Sequence, residues 1–281
     1  MAKIKITCDS ASDLPQALSR RYRIDTLPLK ITLGKAHKRD QVDVDSRLAC
    51  DYTEKTGLLP EISAVPVCDY RKAFLFYLSQ GFTVIHISLS SAISGCYDNA
   101  REAASGLNGV YVVDSRSISS GSGQLALLAA ELAGAEYRAE EIISALEDMK
   151  PHLEMSFVLQ SSSYLRRSGK PGGLSALGNQ LLRLKPEIFL KSGLIHRGRL
   201  FRGDMESAIL SYVRSLMEGK HNIRTDRIFV TYAGVSRTTL DKVIGLLHQL
   251  QPFEEVLEAP ARSVVSGRCG PSCLGLSYLT F

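Results

Sequence analysis

Three serine-rich loops gather carboxylates and hydroxyls close together in this chain of 281 residues. The first, CDSASDLP at 8–15, offers the carboxylates Asp9 and Asp13 among hydroxyls. Such a set holds a turn, caps the next helix or faces a ligand; Asp13 reads as a cap, and Asp9 fits either role. The second, SLSSAISGCY at 88–97, sets Ser88, Ser90, Ser91, Ser94 and Gly95 between an apolar run and a helical pattern. Backbone N–H groups at a helix start, with the positive end of the helix dipole, favour an anion, and serine hydroxyls add donors without a competing charge. The third, DSRSISSGSG at 114–123, repeats the pattern. Near the end, SGRCGPSCLG at 266–275 is a Gly/Pro turn carrying Arg268, and a guanidinium pairs with a carboxylate or phosphate. These are groups for holding a carboxylate rather than for strong acid–base chemistry.

Other chemistries lack their groups. There is no G-x-x-x-x-G-K-[ST], no G-x-S-x-G and no H-E-x-x-H. Gly121-Ser122-Gly123 falls short of the G-x-G-x-x-G spacing that a nucleotide loop needs. The six histidines are scattered, and His86, inside an apolar run, reads as a core residue. The six cysteines form no C-x-x-C pair and read as buried thiols, so no metal site and no cofactor are expected. A net charge of +5 is mild. Nine basic residues fall within 166–202 without a recognised nucleic-acid reader, so a solvated face, an acidic partner or an anionic ligand is expected there, and no nucleic acid.

The elements that must position these loops follow from periodicity. Residues 3–8 alternate as a strand, and Pro15 opens a helix. A second strand is expected over Leu27–Leu33, and helices over Ser46–Lys55 and Asp69–Leu78. Phe82–Leu89, Tyr97–Ala104, Val110–Val113 and Gln124–Gly134 then read strand, helix, strand, helix. With polar loops between, that order implies a parallel, Rossmann-like sheet with right-handed crossovers, whose ligands collect at the carboxyl ends of the strands. A helix over Glu140–Met149 closes an N-terminal α/β domain, 1–150, at Pro151.

A C-terminal α/β domain, 151–281, is expected from strands at Ser156–Gln160, two within 186–202 around a Lys191–Gly193 turn, and Arg227–Tyr232, Val256–Ala259 and Leu274–Leu279, and helices at Met205–Met217 and Leu240–Leu250. No run of eighteen apolar residues spans a membrane, and MAKIKITCDS lacks an apolar leader core, so the expected location is the cytoplasm.

These motifs, in order along essentially the whole chain, resemble the DegV family of bacterial fatty-acid-binding proteins. CDSASDLP is similar to its T-D-S-x-x-D-L-P, ISLSSAISGCYDNA at 87–100 to its I-S-L-S-S-x-L-S-G-T-Y-x-x-A, and DSRSISSGSG to its D-S-x-x-x-S-x-G-x-G. YLRRSGK at 164–170, LKPE at 184–187 and CGPSCLGL at 269–276 stand where the family has L-x-K-G-G-R, a K-P-I turn and H-x-G-P-G-x-L-G. The resemblance implies a two-domain α/β fold with one acyl chain in a tunnel between the domains. It also implies a carrier without catalysis of its own, which in some members presents its lipid to a fatty-acid kinase for phospholipid synthesis.

On this mapping the carboxylate is held by Ser63 and Ser91, with Ser90 beside them. Ile62 replaces a threonine ligand, Ala64 a glutamine, and Arg268 a histidine. Arg166, Arg167, Lys170 and Arg202 form the partner-facing surface, with Lys170 in place of an arginine. A phosphotransferase or hydrolase acting on a small phosphorylated or acyl substrate, with Asp9 and Asp114 binding metal, is the alternative reading. A regulatory or scaffolding protein acting through the basic 166–202 surface is a third.

Overall fold

The computed structural model describes residues 3–161, 163 and 184–281. The chain divides into two compact units: Met1–Val44, Glu61–Pro151 and Ser192–Leu194 form one; Asp45–Pro60, His152–Lys191 and Ile195–Phe281 form the other. Beside the expected single cut near residue 150, the short segments 45–60 and 192–194 thus group with the other part of the chain. The architecture is α/β.

In the first unit a four-stranded sheet runs β2-β1-β6-β7, with β1 Lys3–Asp9, β2 Asp25–Leu27, β6 Phe82–Ser88 and β7 Val110–Asp114. Every pairing in it is parallel. The β6 sequence FTVIHIS is buried from Val84 onward, as a strand covered on both faces must be. Three helices pack near it: α3 Val67–Ser79, α4 Cys96–Ala104 and α5 Ser119–Gly134. From β1 the chain goes to β2 on one side and later returns through β6 on the other. Such a reversal marks the carboxyl ends of β1 and β6 as the place where sheets of this kind hold ligands. Helix α6 spans Ala139–Met149.

Three local expectations are corrected in this unit. The single strand expected over Leu27–Leu33 is two: β2 ends at Leu27, and β3, Lys30–Leu33, joins a separate antiparallel sheet with β4 Ala36–Arg39 and β5 Glu61–Ser63. Pro28 has no N–H to donate to a ladder, and the Leu29 N–H goes to the Ser10 hydroxyl instead, at 3.1 Å. The helix after Pro15, α1, is short, Gln16–Arg21, and has no side-chain cap. Lastly, α5 begins at Ser119, so the Gly-Ser-Gly segment is helical. Gly123 lets that helix approach the first loop: a Cβ there would stand 2.9 Å from the Ser12 carbonyl oxygen.

The second unit is built on a six-stranded mixed sheet, β10-β9-β8-β13-β11-β12. Its strands are β8 Leu153–Leu159, β9 Lys185–Lys191, β10 Leu194–Phe201, β11 Ile223–Ala233, β12 Glu255–Pro260 and β13 Cys273–Thr280. Helices α7 Met205–Met217 and α8 Arg237–Leu250 bury Ile209, Tyr212, Val213, Val243 and Leu247 with Val158, Val230 and Leu276 of the sheet. Both are capped by side chains, Asp204 and Ser236, that accept from the third N–H of the turn. Helix α2, Ser46–Thr56, packs on α9, Ser263–Cys269, which ties the segment 45–60 to this unit.

Candidate functional site

At the carboxyl ends of β1, β6 and β7, register pairs Cys8 with Ile87 and Ser88 with Asp114. All three serine loops therefore leave the sheet along one edge. Their acids do different work. The Asp9 carboxylate is buried: Oδ1 accepts the Tyr70 hydroxyl, and Oδ2 accepts the Ser88 hydroxyl at 3.0 Å and the Leu89 N–H at 2.8 Å. His86, also buried, places Nε2 3.4 Å from Asp9 Oδ1, while its Nδ1 lies 3.0 Å from the Thr7 hydroxyl.

Burial pushes the Asp9 carboxyl pKa up. His86, Tyr70 and the Leu89 N–H more than offset this, leaving it below the ordinary carboxylate value. Burial and the Asp9 charge push Tyr70 well above its usual range and the Cys96 thiol up to about 12. Asp9 is thus an internal hub joining β1, α3 and the loop after β6. The core reading of His86 holds, although its ring belongs to this hub.

Asp13 does not cap α1, whose N-cap position is Pro15 with no side-chain cap. Asp13 instead lies buried in the left-handed region (φ 47°), and its Oδ2 accepts the hydroxyl of Ser119, 106 residues away in sequence, at 2.5 Å. Ser10, likewise buried, donates to Asp40 at 2.5 Å.

The loop after β6 is arranged differently. Ser90 is buried, donating to the Gly193 carbonyl at 2.7 Å and accepting the Ala92 N–H at 3.3 Å. Ser91 is exposed and turned to Asp114: its hydroxyl donates to Oδ2 at 2.6 Å and its N–H to Oδ1 at 3.2 Å. The Arg116 N–H donates to the same Oδ1 at 2.9 Å. The 62–65 segment borders this loop. A Cβ on Gly95 would stand 3.8 Å from the Ala64 Cβ, and the Asn99 side-chain amide donates to the Val65 carbonyl at 2.8 Å. Within it Ser63 is exposed and Ile62 half-buried, facing opposite ways along β5. Ser63, Ser90 and Ser91 therefore lie on adjoining elements of one unit.

Arg268 belongs to the second unit. It sits in the last turn of α9, not in the Gly270-Pro271 turn expected to carry it, and is half-buried. Burial lowers its guanidinium pKa. Arg202 is exposed, and Arg166, Arg167 and Lys170 lie outside the described residues. The expectation of six buried thiols is corrected at Cys68, exposed in the first turn of α3, and at Cys50, half-buried. Among the described residues no group of three or more His, Cys, Asp or Glu is placed to hold a metal, and no helix is long and apolar enough to cross a membrane.

Sequence reasoning missed Tyr70 as a site element. Its signal is a tyrosine on the apolar side of a helix, which when buried needs a partner for its hydroxyl.

The class so defined is an α/β protein of two units, with hydroxyl-rich loops at the carboxyl edge of a parallel sheet. The family model described as "Uncharacterised protein, DegV family" matches residues 3–280, and the chain belongs to that family. A DegV domain-containing protein of Clostridium acetobutylicum is 29% identical, over 99% of this chain and 99% of its own. A protein of Thermotoga maritima named fatty acid-binding protein is 25% identical, over 97% and 96%. The solved structure of a DegV family protein from Thermus thermophilus, described by its fatty acid binding, superposes with a TM-score of 0.87 at 26% identity, over the whole of both chains.

Proposed function

We propose that this chain binds one long-chain fatty acid, its carboxyl head at the serine loops and its acyl chain in an apolar tunnel. Ser63 and Ser91 hold the head, Ser90 and Ile62 lie beside it, and Arg268 supplies a further donor. The tail provides most of the affinity, at ~0.8 kcal/mol per buried methylene, and the head sets orientation. The carrier then presents its lipid to a fatty-acid kinase for phospholipid synthesis, through the surface of Arg166, Arg167, Lys170 and Arg202.

The observation that carries this reading is the contrast among the loops. Asp9 and Asp13 are turned inward onto protein donors, whereas the loop after β6 leaves Ser91 exposed, and Ser63, on the adjoining 62–65 segment, is exposed as well. The fatty-acid-binding relatives from Thermotoga and Thermus support it. Asp9 with its oxygens so engaged does not favour the metal-assisted alternative.

Organic extraction of freshly purified protein, followed by lipid mass spectrometry, tests the proposal. An empty apolar tunnel in water is unfavourable, so about one acyl chain per protein is the expected yield. Repeated preparations without acyl chain would overturn the reading.

A further inference from the structure

We infer that Asp114 sets the polarity of the head-group contact, so that Ser91 receives a hydrogen bond from the ligand rather than giving one. The inference rests on the carrier reading above and specifies its ligand chemistry.

A serine hydroxyl has one proton and two lone pairs. The Ser91 proton points at Asp114 Oδ2, 2.6 Å away, and the Ser91 N–H points at Oδ1 of the same carboxylate. Charge-assisted bonds of this kind are about twice as strong as neutral ones. Both Ser91 donors are therefore committed inside the protein, and what its exposed oxygen offers a ligand is a lone pair. The proton of Ser90 is likewise spent on the Gly193 carbonyl. Ser63 is exposed, with no side-chain hydrogen bond to a described residue, and keeps its proton for the ligand's carbonyl oxygen. A head group that donates at one atom and accepts at the next completes this arrangement. The un-ionised carboxylic acid is such a group. A bare carboxylate meets a lone pair at Ser91 and the charge of Asp114 behind it.

Asp114→Asn inverts the contact while keeping its shape. The Asn oxygen takes the Oδ1 place, accepting from the Ser91 and Arg116 N–H groups, and the Asn NH2 takes the Oδ2 place and donates to Ser91 Oγ. The Ser91 proton is then released outward.

The test compares two ligands of one shape, hexadecanamide, whose NH2 donates, and heptadecan-2-one, whose methyl does not. Each competes with hexadecanoic acid on delipidated protein. Wild type is expected to prefer the amide by about five- to tenfold, and Asp114→Asn to lose or reverse that preference. Ser91→Ala, which removes the accepting oxygen and leaves Asp114 in place, is expected to bring the ratio toward one, and it serves as the test should the Asn variant fold poorly. Wild type that binds amide and ketone equally overturns this inference alone, as does an amide preference that survives in either folded variant. Wild type that takes up none of the three ligands overturns the carrier reading and this inference together.

Discussion

Asp9→Ala is expected to cost about 3–5 kcal/mol of stability, the range for removing one partner of a buried charged network. The carboxylate is buried and accepts from Tyr70, Ser88 and Leu89, with His86 at 3.4 Å. Deleting it leaves two hydroxyls and an N–H in the core without their acceptor, and an unmade buried hydrogen bond costs more than a made one contributes. Asp9→Asn keeps one carbonyl oxygen and should cost less than the alanine. The chain has no tryptophan, so urea unfolding is best followed by far-ultraviolet circular dichroism.

The pH dependence has a definite sign. The folded-state pKa of Asp9 lies below its ordinary value, so its contribution is present above about pH 4, the unfolded value, and is lost as pH falls through the folded value. The gap between wild type and Asp9→Ala should therefore be full at pH 6 and narrow below pH 4. A gap that stays constant into acid would show that Asp9 carries no depressed pKa. A gap near zero at pH 6 would remove it from the hub.

What was legible in the sequence, and what was not, divides by the range of the interaction. The strand–loop–helix series from Phe82 to Gly134 is local, carried by apolar runs and glycine punctuation, and β6, α4 and β7 stand within a residue or so of their expected limits. α7, Met205–Met217, matches to the residue, because a capped start at Asp204 accompanies a clear apolar face. The partners of the polar loops are long-range. Nothing around Asp13 announces Ser119, and nothing around Asp9 announces Tyr70, 61 residues on. At the site, the resemblance pointed to Ser63, Ser90 and Ser91, but which way each hydroxyl proton points was invisible. The helix that carries Arg268 was missed for another reason. SVVSGRC is only seven residues, contains a glycine and shows no repeat. Burial of Ser263–Gly267 and Cys269 in the second unit supports the helix, not intrinsic preference.

The turn after that helix depends on a contact that no local pattern records, and it supplies the second large effect. Gly234 follows β11 with φ at 56°, and a Cβ there would stand 1.9 Å from the Pro271 carbonyl oxygen. Both obstacles are backbone. An L-residue held in the left-handed region costs roughly 1–3 kcal/mol, and no rotamer change moves a carbonyl. Nor is the turn easily displaced: Ala233 is in register with Cys273, and the Ser272 carbonyl accepts the Gln160 N–H. Gly234→Ala is therefore expected to destabilise the second unit by more than about 3 kcal/mol, adding this overpacking to the strain. Gly245, inside α8 with nothing within 4 Å of its would-be Cβ, provides the opposite case. There alanine restores helix propensity, and Gly245→Ala should stabilise by up to about 1 kcal/mol. Thermal melts of the two variants beside wild type should thus move in opposite directions. If Gly234→Ala melted with wild type, the Pro271 carbonyl could not press on Gly234. The Gly270-Pro271 turn would then be loose, and α9 would hold Arg268 without support from β11.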